Sequence, residues 1–268
     1  MLAASRAGDV QLSCDAAFAI VHNQDRTYPN HFADAAKFLG LRAPLVRRWV
    51  RPNSRILRER QRLWQQLVHG ASGDPSPEGH AAPVAGRPRP RMLGVHIRGT
   101  DKYLRPQIEP PQYFAMIDAF LDHAKATNGS AQPLIFLATD DKRAVETMRD
   151  RYGTRLRMQP GVLRGTGKQA IWKDIDAARA QRKGDEVLLD SLLLSKCDFL
   201  LKSMSAVSEF ALYFRPALHQ NSYDLNMRPY DQPTPSWYIT WLQTQRDVKW
   251  SPFLRSAPGE ELAAPDDR

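Results

Sequence analysis

Residues 92–102 read Met-Leu-Gly-Val-His-Ile-Arg-Gly-Thr-Asp-Lys. A short apolar run, interrupted only by His96, ends abruptly at Arg98-Gly99. That pattern suits a strand buried on both faces, with a polar cluster where the chain leaves the sheet. His96 and Arg98 alternate with apolar neighbours at strand spacing, so both side chains leave the same face.

Working outward, the same logic repeats. Pro111 to Ala126 has helical apolar spacing, Pro133 to Ala138 is a second buried strand, and a helix follows over 141–152. Leu156 to Met158 suggests a third strand. A helix over 184–197, a strand over 198–201 and a helix over 205–214 complete the series. Strand and helix alternate, which predicts an α/β fold: a Rossmann-like parallel sheet with helices on both faces. Upstream, 32–39 and 54–68 read as helices, the second announced by Pro52-Asn53-Ser54. Residues 1–69 thus form a mainly helical region, 70–91 a Pro/Gly-rich linker, 92–250 the sheet domain and 251–268 a tail.

Composition bounds the function classes. The 268 residues are 42% hydrophobic and 25% charged, ordinary for a globular chain. No apolar run approaches the ~20 residues of a membrane span, and Met1 to Val10 lacks the layout of a signal peptide. Cys14 and Cys197 allow at most one internal disulfide. The net charge of +9 is local: residues 1–92 hold 14 Lys and Arg against 7 Asp and Glu, the remainder 24 against 22. Arg42, Arg47, Arg48, Arg51, Arg55, Arg58, Arg60 and Arg62 are countered only by Glu59. Such a segment can attract phosphates or anionic membrane surfaces. Ile56, Leu57, Leu63, Trp64, Leu67 and Val68 recur at helical spacing opposite the arginines, and a solvated helix face is the preferred reading. Nothing in it reads bases, so no nucleic-acid partner is expected.

Three strand ends carry the candidate chemistry, because parallel sheets bind ligands at their carboxyl edge. The first is Arg98 with Thr100, Asp101 and Lys102, suited to an anion or to an internal salt bridge. The second is Thr139-Asp140-Asp141, where one acid serves as a helix cap and the pair suits sugar hydroxyls or a metal. The third is Lys202-Ser203-Met204-Ser205-Ala206-Val207-Ser208, at a helix amino terminus that suits an anion or where Ser205 serves as a simple cap. Asp190 sits in the run Val187-Leu-Leu-Asp-Ser-Leu-Leu-Leu194 and needs a partner if it is buried. Several motifs fail: Gly165-Thr-Gly-Lys168 lacks the spacing of a phosphate loop, and there is no GxGxxG, zinc spacing or nucleophile elbow.

Taken in order, these segments resemble the α1,6-fucosyltransferase family, which includes rhizobial nodulation and N-glycan core enzymes. His96-Ile-Arg98-Gly-Thr-Asp101-Lys102 resembles its first motif, and Leu137-Ala-Thr-Asp140-Asp141 its Ala-Thr-Asp-Asp strand end. Leu188-Leu-Asp190-Ser-Leu-Leu-Leu-Ser195-Lys-Cys-Asp198-Phe-Leu and the Ser203-Met-Ser205 turn follow in the family's order over residues 90–215. The resemblance implies a GT-B-type donor domain that takes fucose from GDP-fucose and transfers it to a glycan or glycoprotein acceptor with inversion. It implies neither a metal nor another cofactor, and a Golgi or ER lumenal location, with the cytoplasm as the alternative. By position Arg98 holds the β-phosphate and His96 and Asp190 meet the guanine end. Asp140, Asp141, Ser203 and Ser205 complete the donor site.

The sequence departs from that family where the base is expected. Four residues after Lys102 stands Pro106, not glutamate, and Ala206 and Val207 replace Ser and Gln after Ser205. Glu109 is the nearest acid and is assigned the general base, with Asp101 and Lys102 tuning or relaying the proton. Two other readings stay open: a non-catalytic nucleotide-sugar-binding relative, and a protein O-fucosyltransferase.

Overall fold

Five strands pair side by side, each pair parallel, in the order β3-β2-β1-β4-β5. The computed structural model describes residues 32–69, 89–99, 108–127, 131–166 and 177–245. The strands are β1 (Met92–Ile97), β2 (Leu134–Thr139), β3 (Leu156–Arg157), β4 (Phe199–Lys202) and β5 (Ser222–Asp224). The helices are α1 (Phe32–Trp49), α2 (Ser54–His69), α3 (Pro111–Thr127), α4 (Lys142–Tyr152), α5 (Ala177–Leu194), α6 (Ala206–Phe214) and α7 (Ser236–Thr244). Every residue of β1, β2 and β4 is buried, as a sheet covered on both faces requires.

Strand parity sorts the core into two layers. Met92, Leu134, Phe136 and Leu200 face one way, under Leu39 of α1, Ile56 and Leu63 of α2, Leu193 of α5 and Leu212 of α6. Leu93, Val95, Ile135, Leu137 and Leu201 face the other, under Tyr113 and Ile117 of α3, Met148 of α4 and Leu242 of α7. Each such buried aliphatic or aromatic side chain contributes about 2 kcal/mol relative to exposure. The amino-terminal helices therefore share a core with the sheet. Cys197, at the end of α5, is buried and carries a free thiol.

Expectation and structure part at element ends. α1 runs past the expected end at Leu39 to Trp49, through Gly40 and Pro44, because Leu39, Ala43 and Val46 bury one face of the helix. α5 begins seven residues before Gly184, in the strong helix formers that follow Ala177, and ends at Leu194. β5 and α7 have no counterpart among the expected elements. β5 has three residues, too few to show a period. The expected linker, apart from Arg89-Pro90-Arg91, and the tail 251–268 lie outside the described residues.

β1 leads outward to β2 and β3, after which the chain returns across the sheet to β4 and β5. The connections from β1 and β4 thus leave in opposite directions, which makes their carboxyl ends the switch point, the crevice at which such sheets bind ligands.

Candidate functional site

His96 pairs with Lys202 across β1 and β4, so the crevice begins where these two residues stand side by side. His96 is 3% exposed, and its carbonyl accepts hydrogen bonds from Ser203 N (3.3 Å) and from the Tyr113 hydroxyl (3.2 Å). Ser203 Oγ in turn accepts Arg98 N at 3.4 Å. The ends of β1 and β4 are thereby stitched together at the switch point.

Arg98 is oriented by a neighbour that the sequence does not single out for it. Asp140 Oδ2 lies 3.4 Å from Arg98 Nε, while Asp140 Oδ1 accepts Gly99 N at 2.9 Å. One carboxylate therefore fixes both the backbone and the guanidinium at the end of β1. Gly99 is required here, since a Cβ would stand 2.6 Å from Asp141 Cβ. Asp141 itself is the cap of α4: its Oδ1 accepts Arg143 N at 2.9 Å and its Oδ2 pairs with the Arg143 guanidinium at 3.1 Å. Of the acidic pair, Asp140 faces Arg98 and Asp141 holds the helix.

The Ser203-Met204-Ser205 turn enters α6. Ser205 Oγ caps Val207 N at 3.4 Å, and Ser208 Oγ donates to the carbonyls of Ser203 and Ser205. Beneath it lies a buried ionic cluster. Lys202 Nζ donates to Glu209 Oε1 at 2.6 Å and to Asp224 Oδ2 at 2.7 Å. Burial works against the ammonium, but the two carboxylates outweigh it and hold the Lys202 pKa above its ordinary value. Asp224 Oδ1 accepts Asn226 N, and Asn226 Oδ1 accepts Met204 N at 2.6 Å. The turn is thus tied through Asn226 and Asp224 to Lys202. Sequence reasoning names Lys202 at this strand end but misses its partners, because positions 209, 224 and 226 share no local pattern with it.

Asp190 is buried on α5, 9% exposed. Burial pushes its pKa up to about 7, against the attraction of Arg164 and Lys183, with Glu186 adding to the rise. No described side chain hydrogen-bonds its carboxylate. Lys183, whose ammonium burial weakens, is also drawn by Asp140, so the α5 cluster and the end of β2 share one field. Arg164, Lys183 and Glu186 were not singled out from sequence either. Glu109 is exposed just before α3, its N–H donating to Gln112 Oε1 at 2.8 Å. It stands on the segment that leads from the carboxyl end of β1 into α3. Asp101, Lys102 and Pro106 lie outside the described residues.

His96, Arg98, Asp140, Ser203 and Ser205 therefore meet at one crevice, with Asp190 on the helix above the same sheet face. A fixed guanidinium opposite a helix amino terminus with two nearby hydroxyls suits a phosphorylated ligand. A cavity of about 600 Å³ opens elsewhere, between α2 and α5. Of its arginines, Arg55, Arg62 and Arg182 are bridged to Asp185, Glu59 and Glu186, and it lies away from the carboxyl ends of β1 and β4.

No protein-family model and no curated protein matches the chain. Among solved structures it is similar to NodZ α1,6-fucosyltransferase soaked with GDP-fucose, at 18% identity and a TM-score of 0.38, covering 63% of this chain and 45% of that one. The same enzyme co-crystallized with GDP, and fucosyltransferase NodZ from Bradyrhizobium, each match at 15% identity and a TM-score of 0.34. Both of those matches cover 59% of this chain and 41% of the other. The chain thus spans less than half the length of these structures.

Proposed function

We propose that this chain is a glycosyltransferase donor domain that binds GDP-fucose and transfers fucose, with inversion and without a metal ion, to a glycan acceptor. The observation that carries this reading is the convergence of Arg98, Asp140 and the Ser203–Ser205 turn on the β1/β4 switch point, in the order of the family motifs the sequence resembles. As GDP departs, negative charge grows on its β-phosphate. A guanidinium already oriented by Asp140 stabilises that charge with little reorganisation. The amino terminus of α6 faces the same charge with its dipole. His96 and Asp190 line the side where the base lies. Asp190, raised to about 7, meets the N–H donors of guanine without the full cost of a buried, unmatched carboxylate.

Glu109 takes the acceptor proton in this account. It is exposed, as a group that meets an incoming hydroxyl needs to be. Glu109→Gln is expected to slow single-turnover transfer by about two orders of magnitude while leaving GDP affinity unchanged. Near-normal transfer removes Glu109 from the mechanism. Pro106, standing where the resembled family has its base, favours a second reading, a nucleotide-sugar-binding relative without transfer. A screen of hydrolysis and transfer with GDP- and UDP-sugars separates the two: turnover of GDP-fucose supports the enzyme, and binding without turnover supports the relative. The lumenal location implied by the resemblance belongs to the same proposal.

A further inference from the structure

α1 is apolar on two faces, and among the described residues only one of them is packed against the core. Leu39, Ala43 and Val46 are buried in the core shared with α6. Around the helix, Leu41, Leu45 and Trp49 follow at four-residue steps and are 64%, 52% and 48% exposed. Phe38, half-buried, extends the stripe by one turn. Residues 35–58 contain Lys37, Arg42, Arg47, Arg48, Arg51, Arg55 and Arg58 and no acid. Several of these cations border the stripe directly. The Arg42 guanidinium lies 4.9 Å over the Phe38 ring, and that of Arg48 lies 5.3 Å over the Trp49 ring. Arg51 Nε reaches back to the Arg48 carbonyl at 3.0 Å.

We infer that this face of α1 is a docking surface for an anionic lipid bilayer. The chemistry selects that occupant. A helix lying in the interface buries an apolar stripe at the acyl boundary and keeps its cations among the headgroups. Arginines do this by extending their stems along the apolar surface, and tryptophan favours the same depth. The Arg48–Trp49 stack holds a guanidinium and an indole at the level of the lipid phosphates. A soluble polyanion would match the arginines and leave Leu41, Leu45 and Trp49 in water. A second copy would cover the leucines but bring two arginine-rich clusters of like charge together. Of these three occupants the anionic bilayer satisfies both features, each basic residue near its surface adding to attraction and the whole weakening with salt.

The test is co-sedimentation of the full chain with vesicles of phosphatidylcholine alone and of equal parts phosphatidylcholine and phosphatidylglycerol. The chain is expected to pellet with the anionic vesicles and to stay in solution with the neutral ones. Leu45→Ser/Trp49→Ser, and separately Arg47→Glu/Arg48→Glu, are each expected to weaken that binding by about tenfold or more. All four positions are exposed, and far-UV circular dichroism verifies that the variants remain folded. Absence of binding to anionic vesicles overturns the inference. So does binding that Leu45→Ser/Trp49→Ser leaves intact, which would mark a surface for soluble polyanions, as parallel retention on heparin would show. Concentration-dependent dimerisation in the absence of lipid that the same variant abolishes also overturns it, in favour of a second copy.

Discussion

Arg98 and Asp190 sit at the same crevice and obey opposite rules. Arg98 is held by the Asp140 carboxylate near solvent. Asp190 is buried, and its two cationic neighbours only partly offset the loss of water. Folding raises the Asp190 pKa, so the folded protein retains a proton that the unfolded chain has lost. Its contribution to stability is therefore full below the ordinary carboxylate range and declines as pH rises toward about 7. Asp190→Asn is expected to flatten that decline, a difference on the order of a few kcal/mol, read from urea unfolding at pH about 5 and about 8. Parallel pH profiles for parent and variant would mean that Asp190 is charged at little cost. At this scale the sequence discloses a good deal. The alternation around His96 and Arg98 shows their shared face, and a lone acid among leucines shows that Asp190 needs explaining. It does not disclose Lys202 with Asp224 and Glu209, since that cluster exists only after β4, β5 and α6 have come together.

Among the elements, the caps and ties at the carboxyl edge connect stability to function. Asp141→Ala is expected to cost about 1 kcal/mol through lost capping of α4 and to leave the Asp140–Arg98 pairing in place. Lys202→Met strands Glu209 and Asp224 in the interior without their cation, and urea unfolding is expected to show a loss of about 3–5 kcal/mol. A change below about 1 kcal/mol would mean that the cluster is solvated and not a structural tie. Elements with long periods are legible in the sequence: α2, α3, α4 and α6 fall within two residues of expectation. Where packing overrides local preference, reading fails. Gly40 and Pro44 hide the second half of α1, and Gly184 hides the beginning of α5. α7 escapes notice although Trp237, Tyr238, Trp241 and Leu242 have helical spacing, and Tyr238 and Leu242 are buried against the α3 layer.

Over the whole molecule, two helical layers enclose a parallel sheet, and the amino-terminal helices belong to one of those layers. Ile56 of α2 is 2% exposed in the same core as Phe136 and Leu193. Ile56→Ala is expected to destabilise the entire chain by about 2–5 kcal/mol, in one cooperative transition followed by both circular dichroism and tryptophan fluorescence. Two separated transitions, with only the first shifted, would show that α1 and α2 fold independently of the sheet. The alternation of strands and helices makes this architecture legible, and the parallel order places the crevice. The sharing of a core across the 70–88 interval is not legible, because no local pattern records which faces meet. The central claim is that the β1/β4 crevice binds a guanosine diphosphate through Arg98. Titration calorimetry with GDP, GDP-fucose and UDP-sugars, with chelator present, tests it on the parent and on Arg98→Ala. The parent is expected to bind both GDP ligands, with UDP-sugars bound more weakly. Folded Arg98→Ala is expected to bind GDP more weakly, and a parallel transfer assay is expected to show a loss of about 3 kcal/mol. Equal affinity for UDP-sugars, loss of binding with chelator, or GDP binding unchanged in Arg98→Ala would contradict it.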